Sequence, residues 1–167
     1  MSDGDTERLR DRALEPAATS PQDAAAHGSP WVIRLGPGGV PETVLNSGLK
    51  LTSFAVLAAA TPLDMALALL NQNELDDDSA VVVLDGDHVL GVWAGLDLAT
   101  ARLRGPSRQA TDANLIGNAA FVPLISKACR HEQDHVRCTQ PLTFAEKPMQ
   151  MPDCPNAAGL TPHRFSW

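Results

Sequence analysis

Tyrosine is absent from the 167-residue sequence, and phenylalanine and tryptophan bring aromatics to only 4%. A surface of stacking aromatic side chains, as many RNA-binding sheets present, is therefore not expected. Positive charge is also scarce: 13 Lys and Arg against 20 Asp and Glu leave a formal net charge of −7 and a pI near 5.0. That balance argues against general nucleic-acid binding, although it leaves room for a local basic patch. No apolar run approaches the ~20 residues of a membrane-spanning helix. Residues 1–23 are charged and lack the apolar stretch of a secretory signal. The expectation is a cytoplasmic protein with no membrane association.

Apolar residues make up 44% of the chain, near the globular average. The length suits one compact domain, or a small domain with an appendage, and is too short for an eight-fold barrel. Residues 1–30 mix charges of both signs with Ala, Ser, Pro and Gly, without a period that would bury a face, and read as a disordered tail. Order is expected from Trp31, with a short strand over 31–35 and a turn at Gly36-Pro37-Gly38-Gly39. Residues 49–60 are apolar and Ala-rich, part helix or buried strand.

Residues 61–103 are the most legible. Thr61-Pro62-Leu63-Asp64 reads as a helix start: a capping threonine, proline at the first helical position and an acid in the first turn. Leu63, Ala66, Leu67 and Leu70 recur at helical spacing and predict one inward face, ending near residues 71–73. The acidic run 74–78 reads as a solvated connector; it lacks the alternating ligands and central glycine of an EF-hand calcium loop. Ala80-Val81-Val82-Val83-Leu84 is a buried strand, Asp85-Gly86-Asp87-His88 a tight turn, and 89–93 the return strand. A second helix is expected over 95–103, with Leu96, Ala99 and Leu103 along one side.

These pieces together resemble a cystathionine-beta-synthase (CBS) domain. The resemblance lies in Thr61-Pro62-Leu63-Asp64, in Val81-Val82-Val83-Leu84-Asp85-Gly86 and in Gly91-Val92-Trp93-Ala94-Gly95-Leu96-Asp97, about a quarter of the chain. It implies a unit that pairs through its sheet and binds an adenosine-containing ligand, with Asp97 holding ribose hydroxyls. Gly91 and Ala94 fall at the matching ligand-binding positions, although Ala94 stands where the family commonly has a phosphate-contacting hydroxyl. Independently of the family, a carboxylate near a helix start accepts hydroxyl hydrogen bonds well, and Asp97 can equally serve only to stabilise its own helix N-terminus. Only one copy is present, so its apolar sheet face would be uncovered and a homodimer is expected.

The composition changes after a polar connector over 105–121. All three cysteines, Cys129, Cys138 and Cys154, lie in the final stretch with His131, His135 and His163, among repeated prolines that exclude long helix after Cys138. A metal would supply what burial cannot. One reading is a structural zinc site of Cys129, Cys138, Cys154 and His163, because Cys129-x8-Cys138 is mirrored by Cys154-x8-His163; His131 and His135 are substitutes. A second is catalytic zinc, since His131-Glu132-Gln133-Asp134-His135 spells the His-Glu-x-x-His pattern that, on a helix, shares two ligands and a base. A third leaves the cysteines unliganded. An odd thiol count and no sign of export disfavour a disulfide.

The expected fold is α+β: a disordered tail over 1–30, a CBS-like unit over 31–104, the connector, and a Cys/His-rich appendage over 122–167. No Ser-His-Asp set, phosphate loop or paired-acid arrangement is recognisable, and His88 between turn acids reads as solvated. A regulatory or interaction module is expected rather than an enzyme. It would sense an adenine nucleotide or bind a protein partner, or serve as a scaffold with a zinc-held tail.

Overall fold

The computed structural model describes residues 7–104, 124–145, 148–155 and 160–167. The connector expected over 105–121 lies outside the described residues. In chain order the elements are a 3-10 turn (Leu9–Asp11), β1 (Ala17–Ala18), α1 (Pro21–His27), β2 (Trp31–Leu35), a second 3-10 turn (Pro37–Gly39), β3 (Pro41–Asn46), β4 (Leu49–Lys50) and β5 (Ser53–Ala58). There follow α2 (Leu63–Gln72), β6 (Ala80–Asp85), β7 (His88–Trp93), α3 (Gly95–Arg104), β8 (Leu124–Ala128), β9 (Glu132–Gln133), β10 (Val136–Arg137) and β11 (Pro141–Phe144). The class is α+β, as expected. Among the described residues no helix is long and apolar enough to cross a membrane.

The central sheet has five strands in the order β11-β8-β5-β6-β7. β5 and β6 run parallel, joined through α2; the other neighbours are antiparallel. Its middle strands are apolar on both faces because both are covered. Ala55, Leu57, Val81, Val83, Trp93 and Ile125 pack with Leu67 and Leu70 of α2 and Leu98 and Ala101 of α3. On the opposite face, Phe54, Val56, Val82, Leu84 and Val92 pack against Trp31, Ile33 and Val44. Those three belong to a second sheet, β1-β2-β3-β4. The apolar face whose exposure motivated a homodimer is thus covered by the chain's own residues 31–46.

The expectation of disorder over 1–30 does not hold for residues 7–30. Leu9 is fully buried in the helix-side core, and its N–H donates to Thr61 O at 3.0 Å while Arg10 N–H donates to Ala59 O at 3.0 Å. Glu15 exchanges two backbone bonds with Val92, at 2.8 and 2.9 Å, and so closes the outer edge of β7. An unpaired strand edge takes backbone partners regardless of side chain, which is why the charged composition of this stretch misleads.

Thr61 does not cap α2: Pro62 occupies the capping position, no side chain caps it, and Leu63 N–H instead donates to Glu7 O at 2.8 Å. The face of α3 is also reversed from expectation. Leu96 and Leu103 are 83% and 89% exposed, and Leu98 and Ala101 are the buried pair. Two positions along a helix are about 200° apart, so the two stripes lie on nearly opposite sides. The observed face is fixed by Arg102, whose guanidinium donates to the Leu75 and Asp76 carbonyls at 2.7 and 2.9 Å. This contact, with Arg130 on Asp76, also ties down the acidic loop that was expected to be solvated.

Finally, 122–167 is not a separate appendage. β8 pairs with β5 from Ser53↔Lys127 to Val56↔Leu124, and β11 pairs with β8. The Cys/His segment grows directly from the central sheet.

Candidate metal centre

Cys129 leaves the end of β8, and the chain returns to Cys138 through the β9–β10 hairpin. The hairpin reverses at Asp134 and His135, with φ of 50° and 65°. Two consecutive left-handed residues make the tight hairpin turn, and Asp and His tolerate that region better than branched residues. Cys138 N–H closes the loop by donating to His131 O at 2.7 Å. A second arm brings Cys154 and His163 together. Asp153 and Arg164 form an antiparallel bridge, flanked by Cys154 N–H to His163 O at 2.9 Å and Phe165 N–H to Pro152 O at 2.8 Å. Gln133 Oε1 joins the arms by accepting from Thr161 N–H at 3.2 Å and Thr161 Oγ1 at 2.6 Å.

The result is a four-member cluster. One ligand atom each from Cys129, Cys138, Cys154 and His163 lies within 4.8 Å of every other. The Cys129 Sγ–His163 Nε2 and Cys138 Sγ–Cys154 Sγ separations are both 3.6 Å. Zinc–sulfur and zinc–nitrogen lengths of about 2.3 and 2.0–2.1 Å imply tetrahedral edges of about 3.8 Å between sulfurs and about 3.6 Å from sulfur to nitrogen. The two separations match such edges. All three cysteines are free and buried, so the donor set is thiol rather than disulfide.

The surroundings orient the imidazole and favour the thiolate of Cys129. His163 Nδ1 lies 2.8 Å from Thr161 O, so it donates there and leaves Nε2 facing the sulfurs. Burial pushes the Cys129 thiol up, but N–H groups of Ser166 and His131 point at it, and with His163 beside it the value falls to about 7. Thiolate is the form that binds metal. Around the cluster Phe165 is buried, with Leu142, Phe144, Met151, Leu160 and Trp167 packed against it.

The alternative ligands are placed elsewhere. His131 stacks on the His163 ring, with centroids 3.9 Å apart, and His135 sits exposed on the hairpin turn. The His-Glu-x-x-His stretch is therefore a hairpin, not a helix, and its two histidines do not share a helical face. This corrects the catalytic-zinc expectation, which required helical spacing. Thr161, Gln133 and the Ser166 N–H had no sequence signal, because each acts through a partner far along the chain.

The residues suggested for an adenosine ligand sit at the other margin of the sheet. Asp97 is engaged by Arg12, whose Nε and Nη2 reach Oδ2 and Oδ1 at 3.1 and 2.5 Å, and by Trp93 Nε1 at 2.6 Å. The Arg12 bonds hold its carboxyl below the ordinary range, against burial and with help from Trp93. Gly91 lies under the N-terminal segment: a Cβ there would stand 2.9 Å from both Glu15 O and Leu14 Cβ. Ala94 is buried against the second sheet. No family model, curated protein or solved structure matches the chain.

Proposed function

We propose that the chain is a non-catalytic interaction module whose C-terminal arms are held by one structural zinc ion at Cys129, Cys138, Cys154 and His163. The observation that carries this reading is the cluster itself: three buried thiols and one oriented imidazole gathered within 4.8 Å. Four protein ligands complete a tetrahedron and leave no open position for a substrate, which is the structural type of zinc site. Zinc in such a site supplies cross-linking rather than reactivity. With both faces of the central sheet covered, the module is read as functional without self-association.

Metal analysis of the purified chain tests the proposal. One zinc per chain is expected, with the three thiols protected from a thiol reagent in the native state. A metal-free chain whose cysteines all react freely would overturn it.

A second reading is an adenine-nucleotide sensor with a CBS-like unit. The order β5-α2-β6-β7-α3, with both helices against one sheet face, supports it. Against it stands Asp97, both of whose oxygens are taken by Arg12 and Trp93. A ribose would have to displace Arg12. A rise in melting temperature with adenosine nucleotides would favour this reading, because a ligand bound only by the folded state must stabilise it.

A further inference from the structure

The start of β5, the acidic loop and the first metal arm enclose a recess of about 320 Å³, lined in part by Thr52, Asp76, Lys127, Arg130, Arg137 and Thr139. Its volume falls at the lower end of the range for small-molecule sites, about 300–1,000 Å³. Three of the named side chains are cationic and one is anionic, in a chain whose net charge is −7.

The single carboxylate is committed. Arg130 pairs with Asp76, and Ser53 Oγ donates to its Oδ2 at 3.2 Å. Lys127 is only 2% exposed, with its ammonium donating to Glu74 O at 3.0 Å and lying 4.5 Å from the Trp167 ring centre. It is a fixed positive charge in the wall. Arg137 has Glu132 at 4.0 Å, both side chains being more than half exposed, and such a pair contributes little. A fixed cation in a low-dielectric wall, here Lys127, focuses its field into a concavity, and Thr52 and Thr139 add hydroxyl groups to the lining.

We propose that this recess binds a small molecule through an oxyanion group, a phosphate or a carboxylate, with Arg137 as the arm that closes on it and Lys127 as its fixed electrostatic base. The anion does not ligate the metal, because the four protein ligands fill that shell. The proposal rests on the metal-held module to the extent that Arg130, Arg137 and Thr139 stand on its first arm.

The test uses the full chain with its zinc content measured beforehand. Inorganic phosphate and, separately, succinate are titrated at low ionic strength while backbone amide resonances are followed. Saturable shifts at Thr52, Arg130 and Thr139 are expected. A response to phosphate alone assigns a phosphate ligand, to succinate alone a carboxylate, and to both a general oxyanion site. Arg137→Gln should weaken binding about tenfold, as loss of one charge-assisted hydrogen bond, with zinc content and melting temperature unchanged. Arg34→Gln, an exposed cation outside the recess, should change nothing. Zinc-loaded protein that shows no saturable shift with either anion, or undiminished affinity in Arg137→Gln, overturns the recess and leaves the metal centre standing. A chain without stoichiometric zinc overturns the metal centre, and the same titration still decides the recess.

Discussion

Removing the proposed zinc is the most direct perturbation, and its effect can be worked from what else holds the arms. Ordering chain costs about 1–2 kcal/mol per residue in backbone entropy. Against this, the second arm, over 148–155 and 160–167, offers one fully buried large apolar side chain, Phe165, worth about 1.5–3 kcal/mol. Its main-chain bonds among the described residues include Cys154 N–H to His163 O, Phe165 N–H to Pro152 O and Arg130 N–H to Ser166 O, each contributing about 0.5–1.5 kcal/mol net. Those gains are small beside the entropy of a segment this long. Structural zinc in small domains contributes about 10–16 kcal/mol of apparent binding free energy, so the proposed zinc would decide whether the arm is ordered. Hydrogen exchange after chelation, or in Cys154→Ser, should show the Cys138, Cys154 and Phe165 amides losing protection by at least about a hundredfold, near 2.7 kcal/mol. Amides of Val56, Val82 and Val83, inside a sheet covered on both faces, should keep most of theirs. Unchanged protection of Cys154 and Phe165 in protein proven free of metal would refute the reasoning, because burial alone would then hold the arm.

Four further outcomes follow from the sheet and its N-terminal strap. Arg12→Ala should lower stability by about 1 kcal/mol, a charge-assisted pair discounted because the Asp97 side chain is 37% exposed; the shift of the urea midpoint measures it. Asp97 is depressed in the folded chain, so its contribution is present above the unfolded carboxyl value of about 3.9 and fades as pH falls through the lower folded value. The stability gap between wild type and Asp97→Asn should accordingly close with acidification below about pH 4. Gly91→Val places carbon against Glu15 O and Leu14 Cβ, and should cost about 1–3 kcal/mol and expose the Glu15 and Val92 amides to exchange. Leu98→Ala should cost about 2–5 kcal/mol, whereas Leu96→Ser should stay within about 0.5 kcal/mol; a larger loss at Leu96 than at Leu98 on chemical denaturation would show that α3 is turned the other way.

The legible parts of this fold are those whose signals are local. The continuous apolar run of β6, the Asp-Gly turn and the Leu63-Ala66-Leu67-Leu70 period of α2 each carry their own evidence within a few residues. So does the repeated eight-residue gap, Cys129-x8-Cys138 and Cys154-x8-His163, which coincides with the four residues of the cluster. What escaped depends on remote partners. Leu9 stands alone among charges, and only the distant core gives it meaning. On α3, Leu96-Ala99-Leu103 and Leu98-Ala101 both satisfy helical spacing, and the choice rests on Arg102 reaching the loop after α2. The segment Leu-Ile-Ser-Lys-Ala of β8 hardly reads as a sheet strand, because burying its lysine requires partners far along the chain. The His-Glu-x-x-His stretch misled because a five-residue pattern says nothing about backbone; two left-handed residues turn it into a hairpin.

That buried lysine also couples the metal arms to the central sheet. An ammonium removed from water must find hydrogen-bond and charge partners or destabilise its surroundings. Lys127 donates to Glu74 O at the end of α2 and lies 4.5 Å from the Trp167 ring centre. Trp167 in turn packs against Phe144, at 5.2 Å between centroids, and against both the helix-side core and the core around the cysteines. Its position follows from Phe165 and Ser166, which are bonded to Pro152 and Arg130 at the metal arms. Releasing the metal should therefore withdraw Trp167 from Lys127 and admit water to the ammonium. Trp167 emission should shift to the red on chelation, measured in a chain where Trp31 and Trp93 are replaced by Phe, and readdition of zinc should reverse it. In Lys127→Met the central sheet should lose at least as much stability on chelation as in wild type, since water entering the opened site solvates an ammonium but not a methionine side chain. A Trp167 spectrum indifferent to metal would show that the arm and the sheet are stabilised separately, and that Lys127 is held by Glu74 and its other contacts without the metal's help.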